Sequence, residues 1–188
     1  DVASAVRDAD VVITMVGTPA DVEDLYLSHD GILEVSVPGA YLIDMTTSSP
    51  QLARDISEVA ELSGKHAFDA PVTGGPQGAA AGTLTIFCGT DAETLAGVRD
   101  VLACMGSKIV CFGAAGKGQL AKLANQTALA GAMVGFAEGL AFAEQAGLDL
   151  AQTLDALAGG MADSKALSTF GPKVLAGDYA PGFTVDHY

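Results

Sequence analysis

Short apolar runs alternate with stretches of helical periodicity over the first 112 residues of the chain. The runs are too short for helices and predict buried strands, separated by turn residues. The predicted strands are Val11–Val16, Tyr41–Asp44, His66–Phe68, Thr83–Cys88 and Ser107–Cys111. The predicted helices between them are Ala20–Tyr26, a helix from Pro50 to about Gly64 with Ser49 as its N-cap, and Asp91–Met105. This alternation is typical of a parallel sheet in an α/β protein.

The pattern changes after Phe112. A glycine-rich loop, Gly113–Gly118, leads into helical periodicity that continues from Gln119 to Ala146. Shorter helical patterns follow at Leu150–Ala158 and Ser164–Phe170. The sequence therefore predicts two domains: part of a doubly wound α/β sheet over residues 1–112, and an all-α domain over residues 113–188 that begins with a long helix.

The composition limits the possible partners. The 188 residues include 23 acidic and 9 basic side chains, giving a net charge of −14. Nucleic acid and anionic membranes both require basic surfaces, so we predict neither as a partner. No apolar run reaches the length of a membrane helix. Cys88, Cys104 and Cys111 lie in apolar stretches without metal-ligand spacing, so we expect buried free thiols, no metal site and a cytoplasmic location.

Two loops at the ends of predicted strands carry hydroxyl groups. The second strand runs into Asp44-Met-Thr-Thr-Ser-Ser-Pro50, in which Thr46 and Thr47 could donate to a carboxamide or a phosphate. Ligands of α/β folds bind at the carboxyl ends of parallel strands. The alternative is a polar cap for the following helix. Gly17-Thr18-Pro19, after the first strand, is a weaker candidate for contact with a dinucleotide.

Adjacent glycines mark a third candidate segment, Asp69–Pro76. Gly74 and Gly75 can adopt positive φ and leave their backbone N–H groups unshielded, which suits a nest for a carboxylate. Thr73 adds a hydroxyl group. A plain turn explains the same residues equally well. Asp44 and Asp69 themselves are expected to fix turns at strand ends.

Lys122 and Asn125 lie near the start of the long helix, three residues apart and therefore on one face. The next turn on that face is apolar, so we expect the face to point inward. Burial would lower the pKa of Lys122 toward neutrality, as proton transfer at neutral pH requires. The alternative is a lysine whose stem packs while its amine reaches solvent. Lys117, between two glycines, is expected to be solvated.

Together these motifs resemble the β-hydroxyacid dehydrogenase family, which includes 3-hydroxyisobutyrate dehydrogenase and tartronate semialdehyde reductase. The most specific segments are IDMTTSSP, DAPVTGGPQGAAAGTLTI and GKGQLAKLAN, and the likeness extends from VVITMVGTP (Val11–Pro19) to PGFTVDHY (Pro181–Tyr188). The resemblance implies a Rossmann-like sheet domain followed by a helical domain, as in 6-phosphogluconate dehydrogenase. Alanine at position 121, where 6-phosphogluconate enzymes carry histidine, favours a substrate without a phosphate.

The resemblance also implies a role for each motif. Lys122 would be the acid–base catalyst. Substrate would bind to Thr73, Gly74, Gly75 and Asn125. The cofactor, NAD or NADP, would contact Gly17, Thr18, Pro19, Thr46 and Thr47. Threonine stands at positions 46 and 73 where the family usually has serine, which keeps the hydroxyl group.

The implied activity is hydride transfer between a nicotinamide cofactor and a small β-hydroxyacid or semialdehyde, of the 3-hydroxyisobutyrate or tartronate semialdehyde type. The sequence shows neither the glycine fingerprint expected before the first strand nor the Lys-Asp pair expected after Tyr188. We therefore expect a chain that lacks the first βαβ segment and the end of the helical domain. The alternative is an inactive fragment or a non-enzymatic binding module. Small residues along the long helix, such as Gly131 and Gly135, predict a homodimer or homotetramer. The alternative is that the chain's own C-terminal helices cover this face, so that a monomer suffices.

Overall fold

A computed structural model of the chain describes residues 1–180, so the segment Pro181–Tyr188 lies outside the described residues. The strands are β1 (Val11–Thr14), β2 (Tyr41–Asp44), β3 (His66–Asp69), β4 (Val72–Thr73), β5 (Leu84–Cys88) and β6 (Gly106–Cys111). The helices are α1 (Val2–Val6), α2 (Pro19–Leu27), α3 (Ile32–Val35), α4 (Pro50–Leu62), α5 (Gly75–Ala81), α6 (Ala92–Ala103), α7 (Lys117–Gln145), α8 (Leu150–Leu157) and α9 (Lys165–Leu175). The predicted fold class, an α/β sheet part followed by helices, is confirmed.

Strands β1, β2 and β3 form a parallel sheet in that order. Their last residues are register partners, because Thr14 pairs with Asp44 and Asp44 pairs with Asp69. Three polar side chains therefore end three neighbouring strands at one edge. This edge is where open parallel sheets bind ligands.

The alternation predicted parallel strands throughout the sheet domain, and this prediction is wrong for the strands that follow β3. Strand β4 pairs antiparallel with β5, and an isolated antiparallel bridge joins Asp69 to Gly89. Among the strands within residues 1–180, β5 and β6 are the parallel pair of the second sheet. A parallel crossover needs a dozen or more residues, usually with a full helix. Helix α5 has seven residues, so the chain reverses direction instead.

Capping residues explain where the main helices begin. Ser49 caps α4 as predicted, its hydroxyl accepting from the N–H groups of Gln51 and Leu52, and Pro50 is the first helical residue. Asp91 caps α6 in the same way. Helix α5 was not predicted because its residues, GPQGAAA, have no apolar periodicity. The short elements α3 and β4 were also not predicted.

The chain divides into two compact units. The first is Asp1–Leu123, and the second begins at Ala124, within α7. In the first unit the adjacent residues Leu42 and Ile43 of β2 belong to two different apolar clusters, because successive strand residues point to opposite faces. The second unit has a cluster of its own, centred on Phe136, Leu140 and Leu167.

The prediction of three buried thiols is correct for one cysteine. All three are free, but Cys104 and Cys111 are exposed. Cys104 ends α6, and Cys111 ends β6, which has one neighbouring strand. Cys88 lies on the central strand of the second sheet, and burial raises the pKa of its thiol to about 12. Among residues 1–180, no helix has the length and apolarity needed to span a bilayer.

Candidate active site

The carboxyl ends of β1 and β2 are joined by side-chain hydrogen bonds. Asp44 accepts at a single oxygen, Oδ1, from the hydroxyl of Thr14 (2.9 Å) and from the N–H of Thr46 (3.2 Å). The Thr46 hydroxyl in turn accepts from the N–H of Val16 (3.0 Å). Thr46 is only 2% exposed. Its hydroxyl group therefore holds the two strand ends together.

Asp69 fixes the start of the long helix α7. Its carboxylate is 1% exposed and accepts from the backbone N–H groups of Gly116 (Oδ1, 2.7 Å) and Gln119 (Oδ2, 2.6 Å). The first N–H groups of a helix have no partner within the helix, so a carboxylate at this end stabilises it. Burial nevertheless raises the pKa of Asp69 above its ordinary value, against the opposing effect of these N–H donors.

Gln119 connects α7 to the loop after β2. This side chain is 1% exposed, and both ends of its carboxamide are engaged. Nε2 donates to the carbonyl oxygen of Thr46 (2.7 Å), and Oε1 accepts from the N–H of Ser48 (2.9 Å). The loop that carries the strand-end threonines is therefore hydrogen-bonded to the first turn of the helix that carries Lys122.

Lys122 is 8% exposed, so the prediction of an inward-facing lysine is confirmed. Burial lowers the pKa of its ammonium group. Within residues 1–180 the amine has no hydrogen bond and no ion pair. A buried lysine without an acidic partner is a candidate for proton transfer. Asn125 follows three residues later in α7, in the second unit, and its amide donates to Gln126 (3.1 Å).

The glycine pair has the backbone conformation that the sequence predicts. Gly74 (φ 133°) and Gly75 (φ 65°) both have positive φ. Gly74 is the N-cap of α5 and offers no side chain to the N–H groups of the first turn. Thr73 is half-buried, and its hydroxyl makes no hydrogen bond within residues 1–180. No hydrogen bond in the described part of the chain joins these residues to Gln119 or Lys122.

The predicted cofactor residues fall into two groups. The hydroxyl groups of Thr18 and Thr46 are used within the fold, and Thr18 forms a capping box with Asp21 at the start of α2. Thr47 is half-buried at the end of β2, and its hydroxyl is unengaged within residues 1–180. Gly17 and Pro19 are exposed.

Gln119 and Thr14 are the site residues that sequence reasoning missed. A glutamine in the first turn of an apolar helix carries no signal by itself. Its value depends on the loop of residues 46–48, more than seventy positions earlier in the chain. Its only signal in the sequence was its position directly after the glycine-rich loop that ends at Gly118. The structure adds the reason for this glycine, because a Cβ on Gly118 would lie 2.7 Å from Asp69 Oδ2.

Two family models match the chain and together cover nearly all of it. Residues 1–113 match the "NAD binding domain of 6-phosphogluconate dehydrogenase". Residues 116–188 match the "NAD-binding of NADP-dependent 3-hydroxyisobutyrate dehydrogenase".

The relatives agree with the family models. A probable mitochondrial 3-hydroxyisobutyrate dehydrogenase-like protein of Arabidopsis thaliana is 42% identical over 186 residues, covering 98% of this chain and 55% of that protein. The NAD-dependent L-serine dehydrogenase of Pseudomonas aeruginosa is 40% identical over 189 residues, covering 95% of this chain and 62% of that enzyme. The solved structure of Mycobacterium tuberculosis 3-hydroxyisobutyrate dehydrogenase with L-serine superposes with a TM-score of 0.85 at 38% identity, covering 97% of this chain and 64% of that one.

The chain thus spans between about half and two thirds of the length of these relatives. Within that span it carries the hydroxyl loop, the glycine pair and the lysine helix, in the order that the family resemblance requires. The chain belongs to the β-hydroxyacid dehydrogenase family, the family of 3-hydroxyisobutyrate dehydrogenase.

Proposed function

We propose that the full-length protein oxidises a small β-hydroxyacid, such as L-serine or 3-hydroxyisobutyrate, with NAD or NADP as cofactor and Lys122 as the acid–base group. The observation that carries the proposal is the environment of Lys122: a side chain that is 8% exposed, with a lowered pKa and no acidic partner among residues 1–180. A lysine with only a structural role gains nothing from burial without a partner.

Lys122 would act on the hydroxyl proton of the substrate. In the oxidation direction its neutral amine accepts this proton as the carbon–oxygen bond becomes a carbonyl. In the reduction direction its ammonium form returns the proton to the oxygen. A lysine of ordinary pKa is almost entirely protonated at neutral pH, and a lowered pKa increases the fraction of neutral amine available for the oxidation.

The carboxylate of the acid would bind at Thr73, Gly74 and Gly75. Positive φ at the two glycines supports a nest of backbone N–H groups, and the free hydroxyl of Thr73 adds a donor. Asn125 is proposed to hold the same substrate because three residues on a helix separate it from Lys122. Together these contacts would fix the orientation of the hydroxyl-bearing carbon.

The nicotinamide end of the cofactor would bind at Thr47 and at the exposed residues Gly17 and Pro19. Thr18 and Thr46 would then shape this loop through their hydrogen bonds within the fold. When bound, the dinucleotide supplies the hydride acceptor. The family descriptions and the free Thr47 hydroxyl support this placement.

The test compares two lysines of one helix in the full-length protein. Lys122→Met keeps the length and apolar stem and removes the amine, whereas Lys117→Met changes an exposed lysine at the start of α7. Reduction of NAD⁺ and NADP⁺ is followed with L-serine and with 3-hydroxyisobutyrate. We expect Lys122→Met to lower kcat at least about 100-fold and Lys117→Met to leave it within about twofold. Equal activity of the two variants would refute the proposal, and an inactive wild type would favour a binding module.

Two broader predictions belong to the same proposal. The full-length protein is expected to be a homodimer or homotetramer, because α7 exposes apolar residues such as Val134 and Phe142. A cytoplasmic location stays a prediction. The three free cysteines support it, because a reducing compartment keeps thiols free.

A further inference from the structure

Three contacts converge on Gln119. Its backbone N–H donates to the Asp69 carboxylate (2.6 Å), and its carboxamide bonds to the Thr46 carbonyl (2.7 Å) and the Ser48 N–H (2.9 Å). The side chain therefore has a donor and an acceptor facing the same loop. A carboxamide with a hydrogen-bond partner at each end holds one orientation.

Asp69 anchors the start of α7 to the sheet. Because its two oxygens accept from Gly116 and Gln119, the first turn of α7 is fixed to the end of β3. Gly118 lies between them, with no room for a Cβ beside Asp69 Oδ2 (2.7 Å). The Gln119 side chain then fixes the loop after β2 to that same turn.

Lys122 is one turn of helix beyond this attachment. Three residues along a helix correspond to a rise of about 4.5 Å and place two side chains on the same face. The position of Lys122 relative to the loop of residues 46–48 therefore depends on the hydrogen bonds of Gln119.

We propose that Gln119 is a positioning residue, which sets the distance between the amine of Lys122 and the nicotinamide loop, Thr46–Ser48. The inference rests on the proposed function, since it assigns Lys122 to proton transfer and this loop to the cofactor. Gln119 itself touches neither substrate nor cofactor in this role. It acts through the geometry of proton and hydride transfer, for which a misplacement of about 1 Å lowers the rate about 100-fold.

The test is Gln119→Met in the full-length protein, which preserves volume and removes both side-chain hydrogen bonds. Gln152→Met, at an exposed position of α8, is the matched control. Both are assayed with L-serine and 3-hydroxyisobutyrate, and NADH binding is measured by fluorescence. We expect Gln119→Met to lower kcat by about 10- to 100-fold, with the dinucleotide Kd and the KM of the acid each changed by less than about threefold. Wild-type kcat in Gln119→Met would overturn the inference.

A double-mutant cycle separates positioning from a general loss of structure. In a Lys122→Met background, Gln119→Met is expected to lower the residual rate by less than about twofold, because its effect acts through the amine. Losses that multiply in the double variant would overturn the inference and assign Gln119 a structural role. Where the methionine variant does not fold, Gln119→Glu replaces it, since Glu keeps the acceptor for the Ser48 N–H and loses the donor to Thr46. An intermediate loss of kcat is expected for Gln119→Glu, and wild-type kcat would overturn the inference.

The same measurements distinguish the two proposals. If Lys122→Met retains turnover, the proposed function fails whatever Gln119 does. If Lys122→Met loses turnover and Gln119→Met keeps it, only the positioning role fails.

Discussion

Asp44 and Asp69 are register partners at the ends of neighbouring parallel strands, yet their carboxylates bind hydrogen-bond donors in different ways. Asp44 receives the Thr14 hydroxyl and the Thr46 N–H at one oxygen, Oδ1. Asp69 receives one backbone N–H at each oxygen. Burial raises the pKa of both carboxyl groups, and for Asp44 the nearby charge of Asp69 adds a smaller increase. The same substitution at the two positions should therefore have different effects.

Asp44→Asn keeps an oxygen for the Thr14 hydroxyl and the Thr46 N–H, although it weakens the interaction with the Thr46 hydroxyl. We expect the free energy of unfolding of this variant at pH 7 to lie within about 1 kcal/mol of wild type or above it. Asp69→Asn instead turns an NH₂ group toward a backbone N–H. We expect a loss of about 2–3 kcal/mol, because one donor of α7 is left unsatisfied. Urea unfolding of the full-length variants measures both values. Equal losses would contradict the assignment of donors to oxygens.

The pH dependence of Asp44→Asn has a definite sign. A raised carboxyl pKa in the folded state means that the folded protein binds more protons than the unfolded chain between the ordinary and the raised pKa. The stability contributed by Asp44 therefore falls as pH rises through that interval. Relative to wild type, Asp44→Asn should gain stability as pH rises from about 4 through the raised pKa, and the gain should level off above it. A difference that shrinks with rising pH would show that the pKa is lowered instead.

Replacing Lys122 should raise the stability of the fold while it lowers the activity. A lowered lysine pKa destabilises the folded state wherever the amine is charged, and the penalty disappears as pH rises from the folded pKa toward the ordinary value near 10.5. We expect Lys122→Met to raise the free energy of unfolding by about 1 kcal/mol at pH 7, equivalent to about 2–4 °C in Tm, and to raise it less above pH ~10.5. Thermal unfolding across this pH range measures the difference. A Lys122→Met variant less stable than wild type at pH 7 would contradict a burial penalty on the amine.

The rate of hydroxyacid oxidation by the wild type should rise with pH through the lowered pKa of Lys122, since the neutral amine is the proton acceptor. The residual rate of Lys122→Met should lack this ionisation. Persistence of the same pH profile in the variant would assign the ionisation to another group.

Thr73→Val should separate acid binding from cofactor binding. The change preserves shape and removes a hydroxyl that has no partner within residues 1–180, so the fold itself should tolerate it. We expect the KM of the acid to rise by about 10-fold or more, with the dinucleotide Kd unchanged within about twofold, and Thr73→Ser to restore wild-type KM. Weaker dinucleotide binding with an unchanged KM would place Thr73 in the cofactor site.

Local patterns in the sequence were sufficient to locate most of the strands and helices. Strand β2 has the predicted bounds, Tyr41–Asp44, and Ser49 caps α4 as expected, because both depend on neighbouring residues. Asp44 accepts from the N–H of Thr46, two residues later, as expected of a residue that fixes a turn at its own strand end. Asp69, for which the same was expected, instead fixes the start of α7.

The remaining features depend on residues that are distant in sequence. The antiparallel β4–β5 pair follows from a reversal within a glycine- and alanine-rich stretch that has no periodicity. Thr18 and Thr46 have hydroxyl groups used within the fold, whereas that of Thr47 is unengaged in the described part of the chain. The sequence offers no difference between Thr46 and Thr47, because their roles depend on which way each side chain points.

The long helix should contribute to the subunit interface of the full-length protein. Val134 is 62% exposed, and an added Cβ at Gly131 or Gly135 would meet nothing within 4 Å. Burial of such a face against a second copy would remove apolar surface from water. We expect Val134→Glu to reduce the sedimentation coefficient to that of a monomer at micromolar concentration, and Glu138→Gln, an exposed control on the same helix, to leave it unchanged. A wild type that sediments as a monomer would refute the oligomer.

Ser48 and Thr46 offer a final contrast within one loop. The Ser48 hydroxyl is buried and makes no hydrogen bond within residues 1–180, whereas the Thr46 hydroxyl accepts from the N–H of Val16. Loss of a hydroxyl that has no partner leaves no other group unsatisfied, so we expect Ser48→Ala to change the free energy of unfolding by less than about 0.5 kcal/mol or to increase it. Thr46→Val, which conserves volume, leaves a backbone N–H without its acceptor and should cost about 1–3 kcal/mol. Urea unfolding of the two full-length variants tests the contrast, since both retain the backbone groups that Gln119 binds. A larger loss for Ser48→Ala than for Thr46→Val would mean that the Ser48 hydroxyl, and not that of Thr46, stabilises the strand-end loop.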